Sequence, residues 1–133
     1  ALLVFPEGVR GLNKLFKDRY RLRKFGLGFM RLALESGAPI VPVGVVGAEE
    51  QAPQLFDLKP LAKLLSFPAF PITPTLLPFP LPSRYHVHFG EPIRLAGSPD
   101  DEDAELERKA ADVQAAVQAL LERGLAERTS VFW

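Results

Sequence analysis

Six prolines lie between Phe67 and Pro82, at positions 68, 71, 74, 78, 80 and 82, set among Phe, Leu and Ile. Proline lacks a backbone N–H and has a fixed φ, so this density forbids a regular helix or a central strand there. The regular structure must therefore come from the residues on either side.

Before this stretch, the apolar run at 2–5 ends at Pro6 and reads as a strand buried on both faces. Pro6-Glu7-Gly8 reads as a turn. Residues 11–24 are polar and basic and read as a loop. From Phe25 to Ser36, apolar residues recur at helical spacing (Phe25, Phe29, Leu32, Ala33), and Gly37 is a natural stop. Pro39 to Val46 forms a second apolar strand, closed by Gly47. Strand, loop, helix and strand in this order are a βαβ signature. The expected fold class is α/β, with a mainly parallel sheet covered by helices. The first apolar run resembles the middle of a core strand, without a methionine or a cap before it, so upstream residues are expected to have been removed.

Asp57 to Leu65 reads as a short helix capped by Asp57, with Pro60 in its first turn. Beyond the prolines, Tyr85 to Phe89 alternates as a strand, followed by the turn Gly90-Glu91-Pro92 and a short extension from Ile93 to Leu95. Asp100 to Gly124 is the clearest element. Leu106, Ala110, Val113, Val117, Leu120 and Leu121 form one stripe, with acids at the N-terminal end where they favour the helix dipole. Such a stripe is more often core packing on a sheet than a partner surface. There are no internal repeats, and 133 residues suit one domain.

The chain has no cysteine, which excludes disulfides, thiolate-metal sites and nucleophilic cysteine chemistry. Its formal net charge is zero, so no bulk attraction to nucleic acid is expected. The charge is unevenly spread, however. Eight basic residues occur from Arg10 to Arg31 against one acid, Asp18. Such a block suits phosphate or an anionic membrane surface, and equally a solvated basic face. No apolar run reaches the length of about 18 residues that suggests a membrane-spanning helix. The Phe67–Pro82 stretch reads as a membrane-contacting or acyl-chain-covering loop, or as a loop packed on the core. Val131-Phe132-Trp133 is a similarly apolar end, suited to docking on the body or at a lipid interface.

Candidate chemistry centres on Phe5-Pro6-Glu7-Gly8-Val9-Arg10, at the carboxyl end of the first expected strand, where open α/β sheets bind ligands. Gly8 lets the backbone approach a ligand. Arg10 offers a planar fork to phosphate or carboxylate oxygens, and Glu7 can accept hydrogen bonds from hydroxyls or orient the arginine. An ordinary turn with a surface ion pair has the same sequence pattern. His86 and His88 share one face of a strand. A metal site there would need further ligands that the sequence does not identify, so both are taken as structural or surface residues and no metal is expected.

Phe5 to Arg10 resembles the third block of the glycerolipid and lysophospholipid acyltransferases, written F-P-E-G-T/S-R. Lys24-Phe25-Gly26 resembles that family's K-x-G element. Ile40-Val41-Pro42-Val43 resembles its fourth block, and Tyr85-His86-Val87-His88-Phe89-Gly90-Glu91-Pro92-Ile93 resembles its late strand and G-x-P-I turn. These similarities run in order through about the first 95 residues.

The resemblance implies transfer of a fatty acyl group to a hydroxyl of a glycerol-based lipid such as lysophosphatidate or another lysophospholipid. The donor would be acyl-CoA or acyl carrier protein, with no further cofactor. It places Glu7, Gly8, Arg10 and Lys24 in acceptor binding, and the protein at the cytoplasmic face of a membrane. Val9 departs from the family's Thr or Ser and removes a hydroxyl from the head-group site. The family's H-x-x-x-x-D block, whose His is the general base, is absent from residues 1–133. The chain is therefore expected to be the C-terminal portion of one acyltransferase domain, inactive alone. The competing expectation is a non-catalytic membrane- or lipid-binding module that uses the basic segment and the proline-rich loop.

Overall fold

A computed structural model of the chain describes residues 1–8, 16–51, 56–57, 71–72 and 83–130. Helix α1 spans Gly28–Ser36 and sinks Met30 completely into the core. It opens on the Leu27 carbonyl, which accepts from the N–H groups of Met30 and Arg31. It ends at Gly37, whose φ of 64° is left-handed and readily adopted only without a Cβ. Phe25 and Phe29 meet edge to face at 6.0 Å just before and inside this helix.

Strand β1, Val43–Val46, pairs antiparallel with β4, His86–Phe89, in the register Val43–Phe89, Gly44–His88, Val45–Val87 and Val46–His86. An isolated bridge between Ile40 and Ile93 extends the same pairing. The expected strand from Pro39 is thus realised as a regular ladder only from Val43. Pro39 and Pro42 have no N–H to donate, and Pro42 contributes only its carbonyl, which accepts from Gly90 N–H at 2.9 Å. A short helix, α2 (Ala48–Gln51), follows β1.

Helix α3, Asp103–Glu127, has 25 residues and is therefore about 38 Å long. It packs across β1, β4 and α1. Leu106, Ala110, Val113, Leu120 and Leu121 are buried along one face, with Val117 partly buried between two core clusters, so the stripe expected from the sequence is core packing. Acids in the first turn, Asp103 and Glu105, favour the helix dipole. Lys109 bonds Asp101 at 2.8 Å and Arg31 bonds Asp103 at 2.6 Å, tying the helix start to its own leader and to α1.

One expectation is corrected. Residues 2–5 form no strand, and Leu2, Leu3, Val4 and Phe5 are exposed, Phe5 by 76%. An apolar run becomes a buried strand only with a paired neighbour and cover on its faces, and among the described residues this run has neither. Asp57 lies in the short strand β2, Phe56–Asp57, which pairs antiparallel with β3, Pro71–Ile72. The helix expected to follow it, 58–65, lies outside the described residues. So does the proline-rich stretch apart from Pro71–Ile72. Both described ladders are antiparallel. Mainly parallel sheets often carry an antiparallel edge strand, so the β1–β4 pair is compatible with the larger sheet expected from the sequence and does not itself form it.

Candidate functional site

The chain from Phe5 to Gly8 closes a tight turn, with Gly8 N–H donating to the Phe5 carbonyl at 3.0 Å. Gly8 has φ of 58°, a left-handed value in which a Cβ would be strained. The Pro6 carbonyl accepts from Gly26 N–H at 3.0 Å, so the turn is stitched to the segment leading into α1. Between them lies an open pocket of about 440 Å³, lined by Val4, Phe5, Pro6 and Glu7 together with Gly8 and the α1 side, Gly26, Gly28 and Phe29. Glu7 is the one acidic side chain in that described lining, and its Oε2 is shielded from solvent. The glycines leave backbone exposed to whatever enters. Chemically the pocket offers a carboxyl group and three apolar walls, which suits a molecule with a hydroxyl at one end and hydrocarbon beside it.

Glu7 and Gly8 both line this pocket. Lys24 belongs to the same segment as Gly26, but its ammonium is 2.7 Å from Glu107 of α3 and outside the pocket lining. Its pair with Glu107 is exposed and contributes little to stability. Arg10 and Val9 lie outside the described residues.

His86 and His88 point from β4 toward α3. His88 is mostly buried against Gly124, with Nδ1 3.9 Å from Glu127. No group of three or more potential metal ligands occurs among the described residues.

Sequence reasoning missed a buried polar cluster at the carboxyl end of β1. The Tyr20 hydroxyl donates to Glu50 Oε2 and accepts from Gly47 N–H at 2.7 Å. Arg128 donates to Glu50 Oε1 at 2.7 Å, and Glu50 is only 4% exposed. The Tyr20 backbone is held as well: its N–H donates to Glu49 at 2.8 Å, and its carbonyl accepts from Gln118 at 3.0 Å. Together these bonds hold Tyr20 at φ 60°, which is rare for a bulky residue. Burial, reinforced by the hydrogen bond to Glu50, raises the Tyr20 hydroxyl pKa well above its ordinary value. The cluster joins the segment that leads to Gly26 with α2 and the end of α3. No local signal marks it, because its members come from three distant parts of the chain.

The chain is 46% identical over 141 residues to an uncharacterized protein of Mycobacterium tuberculosis and, equally, to one of Mycobacterium bovis. Those alignments cover 98% of the chain and 39% of each relative. It is 31% identical over 122 residues to a Gallus gallus protein named "DGAT1/2-independent enzyme synthesizing storage lipids", covering 90% of the chain and 34% of that protein. The chain therefore spans about 39% of the length of the mycobacterial relatives it matches. No family model matches it, and no solved structure matches it. Through the chicken protein, the chain has a distant relative named as an enzyme of lipid synthesis.

Proposed function

We propose that these residues form the acceptor-binding part of a glycerolipid-type acyltransferase. The reaction is transfer of a fatty acyl group from a thioester donor, acyl-CoA or acyl carrier protein, to a hydroxyl of a glycerol-based lipid. The acceptor oxygen forms the new C–O bond at the thioester carbonyl and the C–S bond breaks. The thiolate leaves with the proton that the hydroxyl gives up. The general base for that proton is expected in the remainder of the longer protein. The observation that carries the reading is the pocket at the Phe5–Gly8 turn, where the Glu7 carboxylate lies beside the apolar walls of Val4, Phe5 and Phe29. Such a pocket suits an amphiphile whose hydroxyls bond a carboxylate while its chain lies on hydrocarbon. The name of the chicken relative supports the same class of chemistry.

In this reading Glu7 accepts from a glycerol hydroxyl, and Gly8 keeps the backbone open. Arg10, whose role rests on the sequence resemblance, binds an acceptor phosphate. The basic stretch holds the protein at an anionic bilayer, on the cytoplasmic face. The full-length protein should transfer labelled acyl groups from acyl-CoA or acyl carrier protein to at least one of lysophosphatidate, another lysophospholipid or monoacylglycerol. Glu7→Gln should raise the acceptor KM more than the donor KM. Arg10→Lys should raise KM for a phosphate-bearing acceptor about 10- to 100-fold, the equivalent of roughly 1.5–3 kcal/mol for a lost charge-assisted bond. It should leave a neutral acceptor unaffected. Vesicle binding without acyl transfer to any of the three acceptors would instead favour a lipid-binding module.

A further inference from the structure

Glycine loses more freedom on folding than any other residue and is a poor helix former, so each one in a folded chain needs a reason. Among the described residues most have one within the chain itself. Gly8, Gly37, Gly47 and Gly97 have positive φ. A Cβ on Gly44, Gly90 or Gly124 would come closer than 3.0 Å to a neighbouring atom.

Gly26 and Gly28 have neither reason. Neither has positive φ. A Cβ on Gly26 would meet only the Pro6 carbonyl oxygen, at an ordinary contact distance of 3.8 Å, and one on Gly28 would meet nothing within 4 Å. Both residues are exposed. Gly28 is also the first residue of α1, where alanine would serve helix formation better. Folding alone would therefore favour a side chain at both positions.

These two glycines both line the pocket at the Phe5–Gly8 turn, so a side chain added at either has only the pocket and solvent to occupy. Gly26 lies beside the acidic part of the lining, because its N–H bonds the carbonyl of Pro6, the residue before Glu7. Val4, Phe5 and Phe29 supply the apolar part. At about 440 Å³ the pocket lies toward the small end of ligand sites, which run from about 300 to 1,000 Å³. That size suits a glycerol unit with one hydrocarbon chain better than one with two.

Resting on the acceptor-site reading above, we propose that Gly26 and Gly28 are specificity-determining residues for the acceptor. Their bare backbone forms a floor on which the glycerol unit of a single-chain lipid lies, and a side chain there excludes it. Stability given up at a binding surface in this way is a common trade against function.

Gly28→Ala, Gly28→Leu and Gly26→Ala in the full-length protein test this by two separate measurements. Equilibrium dialysis with labelled 1-O-hexadecylglycerol and with its 3-phosphate reads binding without any acyl donor. Acyl transfer to the acceptor that the native protein uses reads KM. Gly28→Leu should weaken ether binding and raise the acceptor KM at least about tenfold, since even one methylene in a filled site can matter that much. The two alanine variants should show a smaller rise in both, and the donor KM should not change. Gly28→Ala should have an unchanged or higher Tm, which a structural glycine would not allow. Ala111→Val, on an exposed position of α3, should change none of these values. Native binding by folded Gly28→Leu would overturn the proposal. If the leucine variant does not fold, native binding by both alanine variants would overturn it instead. A lower Tm for Gly28→Ala would do so too, because the fold itself would then require the glycine. A rise in the donor KM alone would assign the floor to the donor, and binding of neither ether by the native protein would leave the floor without a ligand; each overturns the proposal. The floor and the reaction fail separately. Weakened ether binding by the variants, with no acyl transfer by the native protein, would keep the floor and remove the reaction. Transfer by Gly28→Leu with a native acceptor KM would remove the floor and keep the reaction.

Discussion

Tyr20 has the most distinctive environment of any described side chain. Its hydroxyl serves two groups at once, the Glu50 carboxylate and the Gly47 N–H. Tyr20→Phe keeps the ring and leaves both partners without it. Loss of a partner at a buried polar group costs about 1–3 kcal/mol, so the variant should unfold at lower denaturant with an unchanged m-value. The pH dependence has a definite sign. The folded-state pKa of Tyr20 is raised, so its contribution is complete below the ordinary tyrosine value of 10.0 and is lost as pH rises above it. The stability gap between the native protein and Tyr20→Phe should therefore narrow above that pH in denaturant titrations. A gap constant to strongly alkaline pH would show that the hydroxyl is not protected as described. Glu7 and Gly8 were legible from sequence because a turn is a local event. Tyr20, Glu50 and Arg128 were not, because they lie 30 and 78 residues apart along the chain.

At the scale of elements, α3 determines how closely helix and sheet approach. Gly124 faces β1 and β4, and a Cβ there would sit 2.7 Å from His88 Nε2 and 2.8 Å from Val46 Cγ2. Two effects oppose each other in Gly124→Ala. Helix propensity favours alanine by about 1 kcal/mol, while overpacking a filled site costs about 1–3 kcal/mol. Val46 is fully buried and β-branched, so it cannot move aside cheaply. The overpacking cost should win, and thermal melting should show a lower Tm for Gly124→Ala. An unchanged or higher Tm would mean that the helix can lift off the sheet. Leu106→Ala, at a fully buried position in the same stripe, should cost about 2–5 kcal/mol in denaturant titrations. The start of α3 adds an acid-sensitive contact. Lys109, by its hydrogen bond, holds Asp101 below its usual carboxylate range, so this support is present above the ordinary Asp value and lost as pH falls. Lys109→Met should flatten that part of the acid-unfolding curve.

At the scale of the whole molecule, α3 closes a core against α1 and one side of a small sheet, while the other side of that sheet and the run Leu2–Phe5 stay apolar and exposed. If the proposed reaction is right, the 133 residues expressed alone should transfer no acyl group, because the expected general base lies elsewhere. Loss of such a group costs about 10²–10⁴ in rate. Turnover by the isolated residues that depends on His86 or His88 would place the base in this chain and remove that expectation.

The sequence by itself determined the elements with strong internal periodicity. The 25-residue α3 and its buried stripe, α1 with its Gly37 stop, and the β4 alternation all arise from local pattern, although both helices begin three residues later than expected, at Asp103 and Gly28. The Phe5–Gly8 turn was legible for the same reason, since a glycine with positive φ closes it. Tertiary structure decided what depends on partners. Residues 2–5 are apolar enough for a core strand, yet strand formation needs a neighbouring backbone, and none among the described residues is paired with them. Asp57 became part of a ladder because Pro71–Ile72 supplied one. Lys24 went to Glu107, 83 residues away, because α3 crosses beside it. A strand, an ion pair and a buried carboxylate each need a second segment to exist, and only the folded chain specifies which segment that is.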